Sequence, residues 1–131
     1  MTTTQKRQAA FDRAAAHLIS TGRPSGDLKE DGYFDCLYSG SGCALRPFIP
    51  EDQDPRAWDT QGGIMDIEAD LLPLEIAADI EFFSDLQGAH DDSAVDAKGD
   101  VKRWRTMWID CMVNLAAHYG LNDEAVRTKA A

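Results

Sequence analysis

The stretch from Asp100 to Gly120 constrains the fold more than any other part of the chain. Val101, Trp104, Trp108, Cys111, Met112 and Leu115 recur at three- and four-residue intervals, the spacing that gathers side chains on one helical face. A stripe carrying two indoles is too large for a helix to cover alone, so other elements have to pack against it. Asp100 suits an N-cap and Gly120 a C-terminal stop, which predicts a helix over 100–119.

A second helix is expected over 4–20, where Phe11, Ala14, Ala15, Leu18 and Ile19 form one narrow apolar stripe that Gly22 ends. After a loop at Arg23-Pro24-Ser25-Gly26, residues 33–49 read as a β-hairpin. Tyr33 to Tyr38 is one expected strand and Cys43 to Ile49 the other, joined at Ser39-Gly40-Ser41-Gly42, with Pro47 bending the second strand. In that register Cys36 lies opposite Cys43. Residues 50–63 form an irregular acidic segment with Pro50, Pro55, Gly62 and Gly63, long enough to be either packed by Trp58 or functional.

Helices are expected over 65–90: a short one from Met65 to Leu72, then, across Pro73, a longer one from Leu74 to His90 burying Ile76, Ile80, Phe83 and Leu86. Asp91 to Gly99 reads as a polar linker, and Asn122-Asp123-Glu124 as the start of a last turn. The sum is an α+β fold, mostly helical: a single domain over 1–131 with about three main helices around a short antiparallel hairpin. Phe11, Leu18, Ile80, Phe83, Trp104, Trp108, Met112 and Leu115 are the expected core.

Charge divides the chain by region. Between Asp31 and Asp100 stand 17 Asp and Glu against Arg46, Arg56 and Lys98, whereas each flank carries five Lys and Arg against three acids. The formal net charge of -10 therefore belongs to the middle. Such a region repels phosphate and attracts cationic partners, which argues against direct nucleic-acid binding. No apolar run has the length of a signal peptide core or a membrane span, so the expected compartment is the cytoplasm, with no membrane contact. There, Cys36, Cys43 and Cys111 are expected as reduced thiols.

Three sets of residues carry possible chemistry. Cys36 and Cys43, with Cys111, His90 or His118, are one donor set for zinc, but the close cysteine or histidine pairs that zinc sites use are missing. Packing of the thiols as small hydrophobes is the expected role, and no metal or other cofactor is expected. Gln87, His90 and Asp91 form a possible polar site, since a histidine beside a carboxylate can act as a base or ligand. No nucleophile motif or phosphate loop accompanies it, so a helix-terminal histidine tied to a carboxylate for structure is expected and no catalytic residue is assigned. His118, near a helix end, reads as structural too.

The third set is Glu51, Asp52, Asp54, Trp58, Asp59, Asp66, Glu68 and Asp70, an anionic surface framed by an aromatic side chain. It suits a partner whose groove is built for nucleic-acid backbone. A solvated acidic face and a divalent-metal loop are the alternatives; Asp52-x-Asp54 opens like a calcium loop, but Pro55 and the missing glycine and closing glutamate break it.

The order of features resembles a group of small phage- and prophage-encoded proteins of no assigned function. The resemblance rests on His17-Leu18-Ile19, Cys36-x-Tyr38-x-Gly40-x-x-Cys43-Ala44, Ile49-Pro50-Glu51-Asp52 and Leu86-Gln87-x-x-His90-Asp91, followed by a Trp-bearing helix closing in Gly120-Leu121. It spans about residues 11 to 121. Where the group tends to carry a second glycine-cysteine after Cys-Ala, this chain has Leu45-Arg46-Pro47, which weakens any metal site. The resemblance implies a phage context, hence the bacterial host cytoplasm, and implies no reaction.

The leading expectation is thus an accessory protein that binds a basic host protein or protein–nucleic-acid complex, such as a polymerase or, in an anti-CRISPR-like manner, a defence complex. The alternatives are a metal-dependent or catalytic module around Gln87, His90 and Asp91, and a structural homo-oligomer, for instance a homodimer.

Overall fold

Three helices, α1 (Thr3–Thr21), α4 (Ile80–Ala97) and α5 (Val101–Tyr119), carry most of the helical residues in a computed structural model that describes residues 1–40, 42–59 and 63–127. Short elements lie between them: strands β1 (Gly26–Leu28) and β2 (Phe34–Cys36), and single helical turns α2 (Arg56–Asp59) and α3 (Leu74–Ala77). A last turn, α6 (Glu124–Arg127), packs against α1 and α5. The architecture is a small, mostly helical α+β fold with one antiparallel two-stranded sheet.

Local chemistry sets the long helices. Thr2 caps α1 by accepting from the Gln5 amide, Gln5 returns the bond to the Thr2 amide, and Gly22 ends the helix in the left-handed region. Asp100 caps α5 through the Arg103 amide, and Gly120 closes it. Lys98 and Gly99, both with positive φ, reverse the chain between α4 and α5, which pack together as a helical hairpin. Phe11, Leu18, Phe83, Trp104, Trp108, Met112 and Leu115 are buried as expected, with Trp104 stacked on Trp108. Ile80 is only half-buried.

Four expectations change. The hairpin forms earlier than its turn chemistry suggested, with Gly26 opposite Cys36 and Leu28 opposite Phe34. Gly32, at φ 86°, reverses the chain, and Gly26 allows the close approach: a Cβ there would lie 2.3 Å from the Asp35 carbonyl oxygen. The span Cys43–Ile49 is not a strand. Pro47 sits in a 3-10 turn, Arg46–Phe48, which Arg13 of α1 holds by donating to the Pro47 carbonyl and lying over the Phe48 ring.

The expected helix from Met65 to Leu72 is reduced to one 3-10 turn, Ile64–Asp66. The expected helix over 74–90 is broken at Asp79, whose extended φ of -145° goes with a two-pronged bond from the Arg7 guanidinium. Beyond it α4 runs through the expected linker to Ala97, because Ser93, Ala94 and Ala97 continue the buried stripe while Asp92 and Asp96 face outward. Ser41 of the expected turn and residues 60–62 of the acidic segment lie outside the described residues. No helix among the described residues is long and apolar enough to cross a membrane.

Candidate functional site

Two regions hold the residues singled out by sequence: a buried polar cluster on the inner face of α4, and the acidic loop tied to it through the Ile64 amide.

In the cluster, Gln87 and His90 lie one turn apart, facing the core. The Gln87 carbonyl oxygen accepts from the Ile64 amide at 3.1 Å, and its amide nitrogen donates to the Tyr38 hydroxyl at 2.6 Å. His90 is fully buried, and its Nε2 accepts from the Ser25 amide at 3.0 Å. A backbone N–H can only donate, so the ring proton sits on Nδ1, which donates to Asp91 at 2.6 Å. Trp104 closes the cluster by donating to the His90 carbonyl oxygen. One helix face thus fastens segments at Ser25, Tyr38 and Ile64, each a buried donor or acceptor that is costly to leave unmatched.

Cys36 stands beside this histidine: ligand atoms of Cys36, His90 and Asp91 lie within 4.8 Å of one another. A metal or a nucleophile would ask different things of them. Either role for His90 needs a ring lone pair, and the one it has is taken by Ser25. The Cys36 thiol is pushed up first by its hydrogen bond with Cys43, then by burial, which favours a thiol over the thiolate that ligation or attack requires. Burial likewise pushes the Tyr38 hydroxyl up. Cys36 and Cys43 do meet, through folding of the loop rather than the expected cross-strand pairing. The arrangement fits a satisfied polar core.

The acidic loop is closed on itself. Trp58 is fully buried, edge-on to Tyr38, and its indole N–H donates to the Gln53 carbonyl oxygen at 2.9 Å. The Gln53 amide nitrogen in turn donates to the Leu71 carbonyl oxygen at 3.0 Å, tying the start of the loop to its end. Trp58 therefore anchors the loop to its own domain and presents nothing to a partner. Asp59 is also turned inward, its carboxylate accepting from the Tyr38 and Ser39 amides and the Ser39 hydroxyl. Asp54 accepts from the Arg56 amide and pairs with the Arg56 guanidinium, whose bonds hold its carboxyl below the usual range.

That leaves Glu51, Asp52, Asp66, Glu68 and Asp70 exposed, none in a salt bridge among the described residues. Sequence reasoning missed Gln53, the residue that closes the loop. The signal was faint: one amide side chain among carboxylates, five residues before a tryptophan. It also missed Asp79, which serves α1 rather than the acidic face.

The chain matches no protein-family model, no curated protein and no solved structure.

Proposed function

We propose that this protein works by binding: an accessory factor of the phage type, whose acidic loop engages a basic surface on a host protein that handles nucleic acid, a defence complex or polymerase among them. The observation supporting this reading is the Gln53 clasp between Trp58 and Leu71. The clasp joins Gln53 to Leu71, the chain neighbours of Asp52 and Asp70, which supports reading Glu51, Asp52, Glu68 and Asp70 as one charged group. A loop pinned by a buried tryptophan also loses little freedom on binding, which keeps the entropic cost low. The same charges repel phosphate, so the partner is the protein rather than its nucleic acid.

The mechanism is electrostatic capture. Exposed carboxylates without internal cations speed encounter with a positive surface and help fix its orientation, and salt weakens both effects. The test starts with capture of host proteins by the tagged chain at low salt, followed by affinity measurements from about 50 to 500 mM salt. The expected result is an affinity falling at least about tenfold over that range, and a comparable loss in a variant carrying Glu51→Gln, Asp52→Asn, Glu68→Gln and Asp70→Asn. Binding indifferent to salt and to these substitutions would overturn the reading.

A further inference from the structure

The outer side of the α4–α5 hairpin holds a second anionic feature, remote in sequence from the loop. A groove of about 360 Å³ runs between the two helices. Its floor is apolar and smooth, made by Gly88, Ala89 and Leu115, with Ala89 and Leu115 largely buried. Its walls carry Asp85 and Asp92 from α4 and Asn114 and His118 from α5. Two carboxylates seven residues apart stand two turns from each other along one helix face. Asp85 accepts from the Tyr119 hydroxyl. Asp92 meets no cation among the described residues; burial, and then the neighbouring Asp91 and Asp96, push its carboxyl up. From Glu81 to Ala97, α4 carries five acids and no Lys or Arg.

We infer that this groove receives a long cationic side chain, lysine or arginine, from a basic protein partner, its aliphatic stem on the Gly88–Ala89–Leu115 floor and its charged head between Asp85 and Asp92. The fit is one of both shape and charge: an apolar trough suits methylenes, and the exposed Asp85 and Asp92 carboxylates, neither in a salt bridge among the described residues, attract a cationic head. Gly88 adds no side chain to the trough, and a Cβ at its position would meet the Asp92 carboxylate at 3.8 Å, an ordinary contact. The inference rests on the proposed basic partner but names a different face and a specific kind of contact.

The experiment titrates isotope-labelled protein with N-acetyl-arginine methylamide, its lysine counterpart and the neutral citrulline analogue, followed by amide chemical shifts at low salt. The cationic probes are expected to shift Gly88, Ala89, Asp92 and Asn114 saturably, with dissociation constants on the order of 10 mM. Asp92→Asn, at an exposed position, should weaken this about three- to fivefold. The citrulline analogue should leave these amides still, and the four-fold loop variant above should titrate like the wild type. That last arm separates the two readings, because host-protein binding undiminished in the loop variant, with the groove still titrating, would count against the loop alone. Shifts confined to residues 51–70, equal response to citrulline, undiminished binding by Asp92→Asn, or self-association through the exposed Lys102, Arg103 and Arg105 filling the groove would each overturn the inference.

Discussion

On the inner face of α4, the polar atoms of Gln87 and His90 are matched by Ser25, Tyr38, Ile64 and Asp91, whereas on its outer face Asp92 and Asp96 meet no cation among the described residues. The same helix, eighteen residues from Ile80 to Ala97, therefore spends polarity in two ways. Inside, a lone donor would be expensive, so each side chain is chosen for the partner that folding brings to it. Outside, water tolerates unmatched charge, so carboxylates can accumulate there without internal partners. A motif with histidine and aspartate side by side, His90-Asp91, straddles the boundary, and the buried member sets its meaning.

This contrast can be broken most forcefully where the loop enters the core. Trp58→Ala should cost about 3–5 kcal/mol in denaturant unfolding, since it empties a fully buried site and releases Gln53. If Trp58 were a partner contact, stability would barely change. Next in size, His90→Leu and Gln87→Leu should each cost about 2–3 kcal/mol by stranding the amides of Ser25 and Ile64. A catalytic or metal role for His90 would instead leave stability intact, which thermal unfolding distinguishes.

A smaller effect concerns Asp79 and Arg7. The hydrogen-bonded guanidinium holds the Asp79 carboxyl below its ordinary range, so the stabilisation is present above the usual carboxylate pKa and is lost as pH falls through the lowered value. Arg7→Ala should therefore cost about 1 kcal/mol at neutral pH and progressively less in acid, measured by unfolding from pH 7 downward. Asp92 has the opposite sign: its raised carboxyl makes ionisation unfavourable in the fold, so its cost appears as pH rises through and above the ordinary carboxylate range. Asp92→Asn should leave stability at neutral pH unchanged or slightly higher, the smallest effect of the set. A clear loss in unfolding experiments would mean that the charge has a partner within the protein.

Much of the scaffold was legible in the sequence, and for a common reason. α1 and α5 combine large apolar residues at helical spacing with end signals, Gly22 for the first and Asp100 and Gly120 for the second, so periodicity and capping agree, while the Thr2 cap of α1 went unread. The second half of α4 was not legible. Its buried stripe is built from Ser93, Ala94 and Ala97, small enough to read as linker beside Asp91, Asp92 and Asp96. The hairpin was misplaced because glycines around Ser39 outweighed Gly32, while the decisive constraint, Arg13 holding Pro47 and Phe48 in a turn, spans distant positions. Sequence expected His90 at a helix end tied to a carboxylate; it lies within α4, bonded to Asp91, and its acceptor bond from Ser25, sixty-five residues away, is visible only in three dimensions. Burial of Trp58 was one of two alternatives that sequence left open.

The bond from Ser25 to His90 has one more consequence. The exchangeable hydrogen of the Ser25 amide, one residue before β1, is held at 3.0 Å by a fully buried imidazole. Its replacement by deuterium must wait until the β1 end of the chain parts from α4, which makes one slow resonance a natural clock for opening of the whole inner face.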